Sequence, residues 1–369
     1  MRILLFIPAL NSGGAERVMV TISNYLSKRG HTVEILTLNY DYSFYQIDDS
    51  VIVRGMNLSI KNKGIKRKFE ILYKELYRRH KFIKEVNDFR PDVVLSFLNT
   101  TNFIALSSIK RIHCPLIVSE RNDPLSYSKI AQFLCRKLYP KARTIVCQGT
   151  KVADYYRKIG AKCVVIANPL NTSAIGEFIE NGNNKLVTVG RLEEAKNQEL
   201  LIKAFAEVVK KHPNYVLEIY GEGNLENELK LLISRLGLSE KVFLCGTRKN
   251  VMATVSDYNC FILSSNYEGF PNVLLEAMAS GLPVVSTNFS TGVAEELIID
   301  DINGYLVPIN DVHKLSEAIE KIIVDNDKNK RMRKENIKIR ELFSEEVVCE
   351  KWERLLLENC TRGKNDRED

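Results

Sequence analysis

The segment Arg2-Ile3-Leu4-Leu5-Phe6-Ile7-Pro8, followed by Asn11-Ser12-Gly13-Gly14-Ala15-Glu16-Arg17, decides the fold class. A short apolar run, a paired-glycine turn and then apolar residues at helical spacing from Ala15 to Arg29 read as strand, loop and helix. Gly30 turns the chain into a second apolar run, Thr32–Leu38. The same alternation recurs at Asp92–Phe97, Leu116–Ser119, Thr144–Cys147 and Cys163–Ile166, until Ala167-Asn168-Pro169-Leu170 breaks it. After the polar stretch Glu180–Asn184 it restarts at Lys185–Val189, Val216–Tyr220, Val242–Cys245, Cys260–Leu263 and Val284–Thr287. Helical patterns then run from about Val312 to Cys360, with breaks near Asn326 and Phe343. Short strands separated by helices signal parallel sheets with crossover connections, so the expectation is an α/β protein with two doubly wound halves. Ligands are expected at the carboxyl ends of the strands, in a cleft between the halves.

The 369 residues suit two domains, here 1–170 and 183–340, better than a single core. A composition of 45% hydrophobic and 27% charged residues is that of a globular chain. No uncharged apolar run approaches the roughly 18 residues of a membrane span, and the N-terminal run reads as a buried strand, not a signal segment. The eight cysteines form no CxxC pair and mostly sit in apolar runs, so they read as reduced core thiols. The five histidines are scattered, which counts against a His-based metal centre. A cytosolic location follows from these expectations.

The net charge of +7 hides an asymmetry: residues 1–170 carry 28 Lys+Arg against 13 Asp+Glu, and the remainder carries 25 against 33. A basic half joined to an acidic one suggests that the first half meets something anionic. Its densest cluster is Lys61, Lys63, Lys66, Arg67 and Lys68, continued by cations to Lys84 and interleaved with Ile65, Phe69, Leu72, Leu76 and Ile83 at helical spacing. Three readings fit this amphipathic helix: contact with an anionic membrane, a cradle for acceptor phosphates, or a solvated helix face. Nucleic acid is disfavoured, because the 61–68 cluster lacks interleaved stacking aromatics and no nucleic-acid module is visible.

Three motifs carry candidate chemistry. In Asn11–Arg17 the glycines and the following helix start would admit a phosphate, although a plain tight turn fits equally. The loop is neither GxGxxG nor a Walker sequence. In Val189-Gly190-Arg191-Leu192-Glu193-Glu194-Ala195-Lys196-Asn197, two cations about one helical turn apart suit a diphosphate, or are simply a surface pair. In Glu268-Gly269-Phe270-Pro271-Asn272-Val273-Leu274-Leu275-Glu276, a helix begins between two carboxylates. Carboxylates accept from vicinal diols, so Glu276 suits a ribose and Glu268 a sugar ring. The amides of Asn272 and Val273 at the helix start would receive phosphate. A glycosidase pair or a capped surface helix are the other readings of these acids.

Taken together, the Glu-(seven residues)-Glu element, Gly190-Arg191-Leu192 with Lys196-Asn197, and Gly13-Gly14-Ala15-Glu16-Arg17 resemble glycosyltransferase family 4 across essentially the whole chain. Tyr220-Gly221-Glu222-Gly223 and Gly281-Leu282-Pro283-Val284 fit the same pattern. Within that family the chain is most similar to bacterial transferases that extend glycans on undecaprenyl diphosphate, including N-acetylgalactosaminyltransferases of protein glycosylation. The resemblance implies two Rossmann-like domains facing a cleft (GT-B type), with a closing helix, 345–360, packed back on the first. It also implies a retaining transfer from a nucleotide sugar, expected to be a UDP-sugar.

By the same resemblance Arg191 and Lys196 neutralise the diphosphate, Glu276 holds the ribose and Glu268 the donor sugar. Gly14 offers an amide to the phosphates, Gly246-Thr247-Arg248 borders the base, and Phe270, Asn272 and Val273 complete the donor site. Glu16, Arg17, Glu120 and Arg121 are expected near the acceptor or the sugar. Many relatives have Glu-His where this chain has Glu120-Arg121. An arginine cannot serve as a neutral base, so Arg121 is expected to bind a phosphate or sugar hydroxyl instead.

No Asp-x-Asp metal motif stands in a suitable loop, and no metal or cofactor is expected. The expected partners are the UDP-sugar, a lipid-linked glycan and an anionic membrane surface, on the cytoplasmic face of the inner membrane. A non-hydrolysing UDP-sugar epimerase and a catalytically silent nucleotide-sugar-binding scaffold are the rival functions.

Overall fold

The computed structural model describes residues 1–39, 42–56 and 67–365, with side chains for all of these except 67–72 and 361–365. The chain divides into two compact units, Met1–Pro169 with Glu345–Asp369, and Leu170–Ser344. In the first unit the strands are β1 (Arg2–Ile7), β2 (Thr32–Thr37), β3 (Ile52–Gly55), β4 (Val93–Phe97), β5 (Leu116–Ser119), β6 (Thr144–Cys147) and β7 (Cys163–Val165). They form one parallel sheet in the order β3-β2-β1-β4-β5-β6-β7. The crossovers carry α1 (Gly14–Lys28), α2 (Arg67–Phe89), α3 (Asn99–Ser108), α4 (Lys129–Leu138) and α5 (Thr150–Arg157).

The second unit repeats the plan. Its strands are β8 (Lys185–Val189), β9 (Val216–Tyr220), β10 (Val242–Leu244), β11 (Cys260–Leu263), β12 (Val284–Thr287) and β13 (Gly304–Val307). They are parallel, in the order β10-β9-β8-β11-β12-β13. The helices are α6 (Gln198–Lys211), α7 (Glu226–Arg235), α8 (Val251–Thr254), α9 (Asn272–Ala279), α10 (Val293–Leu297), α11 (Val312–Ile323), α12 (Asn326–Asn336) and α13 (Ile339–Leu342). Then α14 (Glu345–Asn365) returns to the first unit, where it packs on α1 and buries Trp352 against Phe97, with ring centroids 5.6 Å apart.

Both sheets are covered on both faces, which explains why their inner strands read as unbroken apolar runs. In the first unit α1 and α14 cover one face, and α2 to α5 the other. In the second, α6, α7 and α11 cover one face, and α8 and α9 the other. Strand order therefore reverses between β1 and β4, and again between β8 and β11, and the loops leaving those pairs mark the crevices of doubly wound sheets. The short edge strands β3 and β13 were not anticipated. Each has four residues, and in β3 exposed and half-buried positions alternate, so neither leaves a long apolar signature.

Two glycines let the loops at the second crevice approach one another. A Cβ on Gly221, whose φ is +140°, would lie 2.0 Å from the Gly190 carbonyl oxygen, and one on Gly223 would lie 2.2 Å from that of Leu192. Gly221→Ala therefore lowers the unfolding free energy by about 2 kcal/mol or more. Urea titration checks this; a change below about 0.5 kcal/mol contradicts the close packing.

Candidate active site

At the second crevice two loops are stitched together. The segment following β8 carries Arg191 and Lys196, and the segment following β11 carries Glu268. The Asn266 amide N–H donates to the Ala195 carbonyl at 2.8 Å, and the Asn266 side chain donates to the Glu194 carbonyl at 2.8 Å. The Ser264 hydroxyl donates to the Lys196 carbonyl at 2.9 Å, and the Asn197 side-chain amide donates to Asn266 Oδ1 at 2.9 Å. Asn197 caps α6 by accepting from the Leu200 amide, and does so from the left-handed region (φ +45°), which asparagine tolerates better than most residues.

This seam brings Lys196 Nζ to 2.5 Å from Glu268 Oε1, with only 19% and 12% of the two side chains exposed. The Ser265 hydroxyl donates to the same Oε1 at 2.7 Å. An ammonium and a carboxylate largely out of water attract strongly, and each offsets the desolvation of the other. Arg191 differs: 77% of its side chain is exposed, and Glu193 pairs with it at 2.9 Å. Such an exposed pair contributes about 0–1 kcal/mol, so the guanidinium is readily exchanged onto a stronger anion.

Glu276 lies on α9, half-buried, eight positions after Glu268. Phe270 and Val273 are partly buried against the α8–α9 core. The Asn272 amide is not open to phosphate as expected: it donates to the Phe270 carbonyl at 3.0 Å, because the chain turns tightly through Pro271 before the helix begins. Thr247 and Arg248 are exposed after β10. There the Thr247 amide donates to Glu222 Oε1 at 3.3 Å, and the Arg248 guanidinium stands 5.7 Å from the Tyr220 ring centroid. A cavity of about 540 Å³ opens beside Asn197, Gln198 and the α7 residue Glu228, but Arg191, Lys196, Glu268 and Glu276 do not line it.

In the first unit Gly14 is the first residue of α1, and Glu16 sits in its first turn. The Glu16 carboxylate folds back beside Gly13, where a Cβ would lie 2.1 Å from its Oε2, so a larger residue there would make the Glu16 side chain swing aside. Burial raises the Glu16 carboxyl above its ordinary range, against a smaller lowering from a backbone hydrogen bond. The Arg17 amide donates to the Gly13 carbonyl at 3.1 Å.

Glu120 and Arg121, in the loop after β5, are both drawn into the interior of the first unit. Glu120 is buried, and its carboxylate is filled by five donors. Oε1 accepts from the Arg121 and Asn122 amides and from the Tyr127 hydroxyl at 2.6 Å. Oε2 accepts from the hydroxyls of Tyr139 at 3.0 Å and Tyr156 at 2.7 Å. No acceptor or sugar is needed to satisfy it, and burial together with this negative charge pushes all three tyrosine pKa values up. Arg121 is also buried: its guanidinium lies 3.9 Å from the Phe97 ring centroid and 5.7 Å from that of Trp352, and Nη1 donates to Asn168 Oδ1 at 2.6 Å. Burial lowers its pKa to about 9. It ties the loop after β5 to α14 and to the last residues of the first unit, while its Nε and Nη2 are buried without a hydrogen-bond partner. Of the basic cluster, Lys61, Lys63 and Lys66 lie outside the described residues; Arg67 and Lys68 begin α2, without described side chains.

Comparison with known proteins assigns the family. Residues 12–174 match the model of Glycosyltransferase Family 4, and residues 174–339 that of Glycosyl transferases group 1. A Campylobacter jejuni protein named GalNAc-alpha-(1->4)-GalNAc-alpha-(1->3)-diNAcBac-PP-undecaprenol alpha-1,4-N-acetyl-D-galactosaminyltransferase is 32% identical over 97% of this chain and 99% of its own length. The chain belongs to glycosyltransferase family 4. The amylovoran biosynthesis glycosyltransferase AmsD of Erwinia amylovora is 24% identical over 96% of this chain and 99% of its own. Among solved structures, Anabaena HepE in complex with UDP superposes with a TM-score of 0.78 at 18% identity, covering 97% of this chain and 100% of its own. Sucrose-phosphate synthase from Thermosynechococcus elongatus gives 0.82 at 15%, covering 97% and 99%. These likenesses show the shared GT-B fold.

Several residues that shape this glycosyltransferase's site escaped the sequence reading. Ser265 holds Glu268, and Ser264 and Asn266, together with Asn197 of the Lys196-Asn197 motif, lock the two loops. Their signal was present but unspecific, since Ser264-Ser265-Asn266 after a buried strand reads as an ordinary turn. Ser265→Ala, by freeing the Glu268 carboxylate to rotate, lowers kcat about tenfold with little change in donor KM, and Ser265→Thr restores most of it. Steady-state kinetics check this; an unchanged kcat for the alanine variant removes Ser265 from the site.

Proposed function

We propose that this glycosyltransferase moves a hexose or N-acetylhexosamine from a UDP-sugar to a lipid-diphosphate-linked glycan, with retention at the anomeric carbon, in the assembly of a surface polysaccharide or glycoprotein glycan. The observation that carries the reading is the Lys196–Glu268 pair at the carboxyl edge of the second sheet, beside the exposed Arg191. A diphosphate and a sugar hydroxyl are the groups that an ammonium, a guanidinium and a carboxylate so arranged are suited to receive. The acceptor class is supported by the Campylobacter relative, named for a glycan on undecaprenol diphosphate, and the donor class by the UDP in the HepE complex.

In the proposed reaction the bond between the anomeric carbon and the β-phosphate oxygen breaks, and an acceptor hydroxyl oxygen bonds to the same face of that carbon. The departing UDP takes the hydroxyl proton on a phosphate oxygen. Negative charge grows on the leaving diphosphate, so Lys196, held in place beforehand, and Arg191, exchanged from Glu193 onto the diphosphate, stabilise the transition state more than the ground state. Glu268 orients the sugar ring, and Glu276 holds the ribose hydroxyls. Thr247 and Arg248 flank the base, Gly14 offers its amide, and Glu16 and Arg17 lie toward the acceptor. The cations 61, 63, 66, 67 and 68 meet anionic lipid or acceptor phosphates. The reading places the enzyme peripherally on the cytoplasmic face of the inner membrane. Eight free thiols support a reducing compartment, and no helix among the described residues is long and apolar enough to cross a bilayer.

Incubation with labelled UDP-sugars and a polyprenyl-diphosphate-linked sugar gives a retained-configuration transfer product. Epimerised free nucleotide, or binding without product, contradicts the reading. Arg191→Ala and Lys196→Ala each lower turnover about 100-fold or more, and wild-type turnover in folded variants removes them from the site. With these cations neutralising the leaving group, EDTA leaves the rate unchanged; loss of activity that Mg²⁺ or Mn²⁺ restores contradicts the metal-free mechanism.

A further inference from the structure

The helix α4 buries little of itself. Of Lys129–Leu138 only Cys135 is buried, while Ile130 is 76% and Phe133 55% exposed; Leu125, in the turn just before it, is 59% exposed. Large apolar side chains scattered singly over a surface need no explanation, but three within nine residues on one turn and its following helix form a patch. The helix carries exposed Lys129, Arg136 and Lys137 and no acidic residue, and Lys137 Nζ lies 5.0 Å from the Phe133 ring centroid. An apolar ridge flanked by cations on a half-docked amphipathic helix has the chemistry of an interfacial segment: rings and alkyl groups below the headgroups, ammonium groups among the phosphates.

The topology extends this ridge. α4 follows β5, so its first turn lies toward the carboxyl edge of the first sheet. α2 ends at Phe89, beside the start of β4, and Tyr73 lies about 24 Å back along that helix, toward the same carboxyl edge. There Tyr73 and Leu76 are 55% and 53% exposed. α2 packs on α3 and α3 on α4, so the helices that carry the two exposed apolar groups lie in one layer on the same side of the sheet.

We propose that this rim, centred on Leu125, Ile130 and Phe133 and flanked by Lys129, Arg136 and Lys137, inserts into an anionic bilayer surface. The proposal rests on the lipid-acceptor reading and adds to it a separate, apolar contact, so that membrane binding does not depend on the cations alone. A contact of cations only is screened away by salt; insertion of side chains is not.

Sedimentation of the full chain with phosphatidylglycerol–phosphatidylcholine vesicles tests it, at 0.1 and 0.5 M NaCl. The wild type retains a bound fraction at high salt. Ile130→Ser with Phe133→Ser loses that fraction, with at least a tenfold lower partition coefficient. Lys129→Ala, Arg136→Ala and Lys137→Ala each weaken low-salt binding about fivefold. In Ile130→Trp, emission shifts to the blue on adding vesicles. Because the substituted side chains are solvent-facing, transfer to a water-soluble short-chain acceptor stays at the wild-type level in the double variant. Wild-type-like vesicle binding by the double variant, or complete release of the wild type at 0.5 M NaCl, overturns the proposal. So does light scattering that shows a wild-type dimer absent in the double variant, since the ridge then pairs two copies. If no form transfers sugar while vesicle binding follows the stated pattern, the transferase reading fails and the surface stands.

Discussion

The site depends on one constraint: a lysine ammonium and a glutamate carboxylate from different loops, 72 positions apart in sequence, share one largely dry position. Neither loop is regular structure. Each is held because the other supplies its missing backbone partners, through Asn266 to Ala195 and Glu194 and through Ser264 to Lys196. The glycines at 221 and 223 let a third loop close on the first. The charges are thus oriented before any ligand arrives, which is where fixed cations do most for a reaction that expels a diphosphate. In the proposed reaction, bringing that diphosphate in means trading one anionic partner of Lys196 for another.

The first unit solves a different problem. The loop after β5, where the family commonly carries Glu-His, is anchored from within by a carboxylate that accepts from two amides and three tyrosine hydroxyls. A buried carboxylate is tolerable only when its oxygens are filled, and here they are. Arg121 then turns inward onto Phe97, Trp352 and Asn168. The pair thereby links a strand loop to the closing helix.

The fold was legible because strands covered on both faces spell out as apolar runs, from Arg2–Ile7 to Val284–Thr287, with glycine turns and helical spacing between them. Four-residue edge strands such as Ile52–Gly55 carry too little of that signal. Within the candidate site, Arg191, Lys196 and Glu268 were legible as charged residues following strand ends. That Lys196 and Glu268 form a pair was not legible, because spatial pairing across loops leaves no local mark. The burial of Glu120 and Arg121 was not legible for the complementary reason: a sequence shows charge but not burial, and the tyrosines that enclose Glu120 come from 7, 19 and 36 positions away.

The most direct measurement is a crystal structure of the chain soaked with a non-hydrolysable UDP-sugar. The account predicts the diphosphate in contact with Lys196 Nζ and the Arg191 guanidinium, the ribose on Glu276 and the sugar ring toward Glu268. A nucleotide bound with its base at Lys196, or bound elsewhere while the Lys196–Glu268 pair stays closed and untouched, would contradict it.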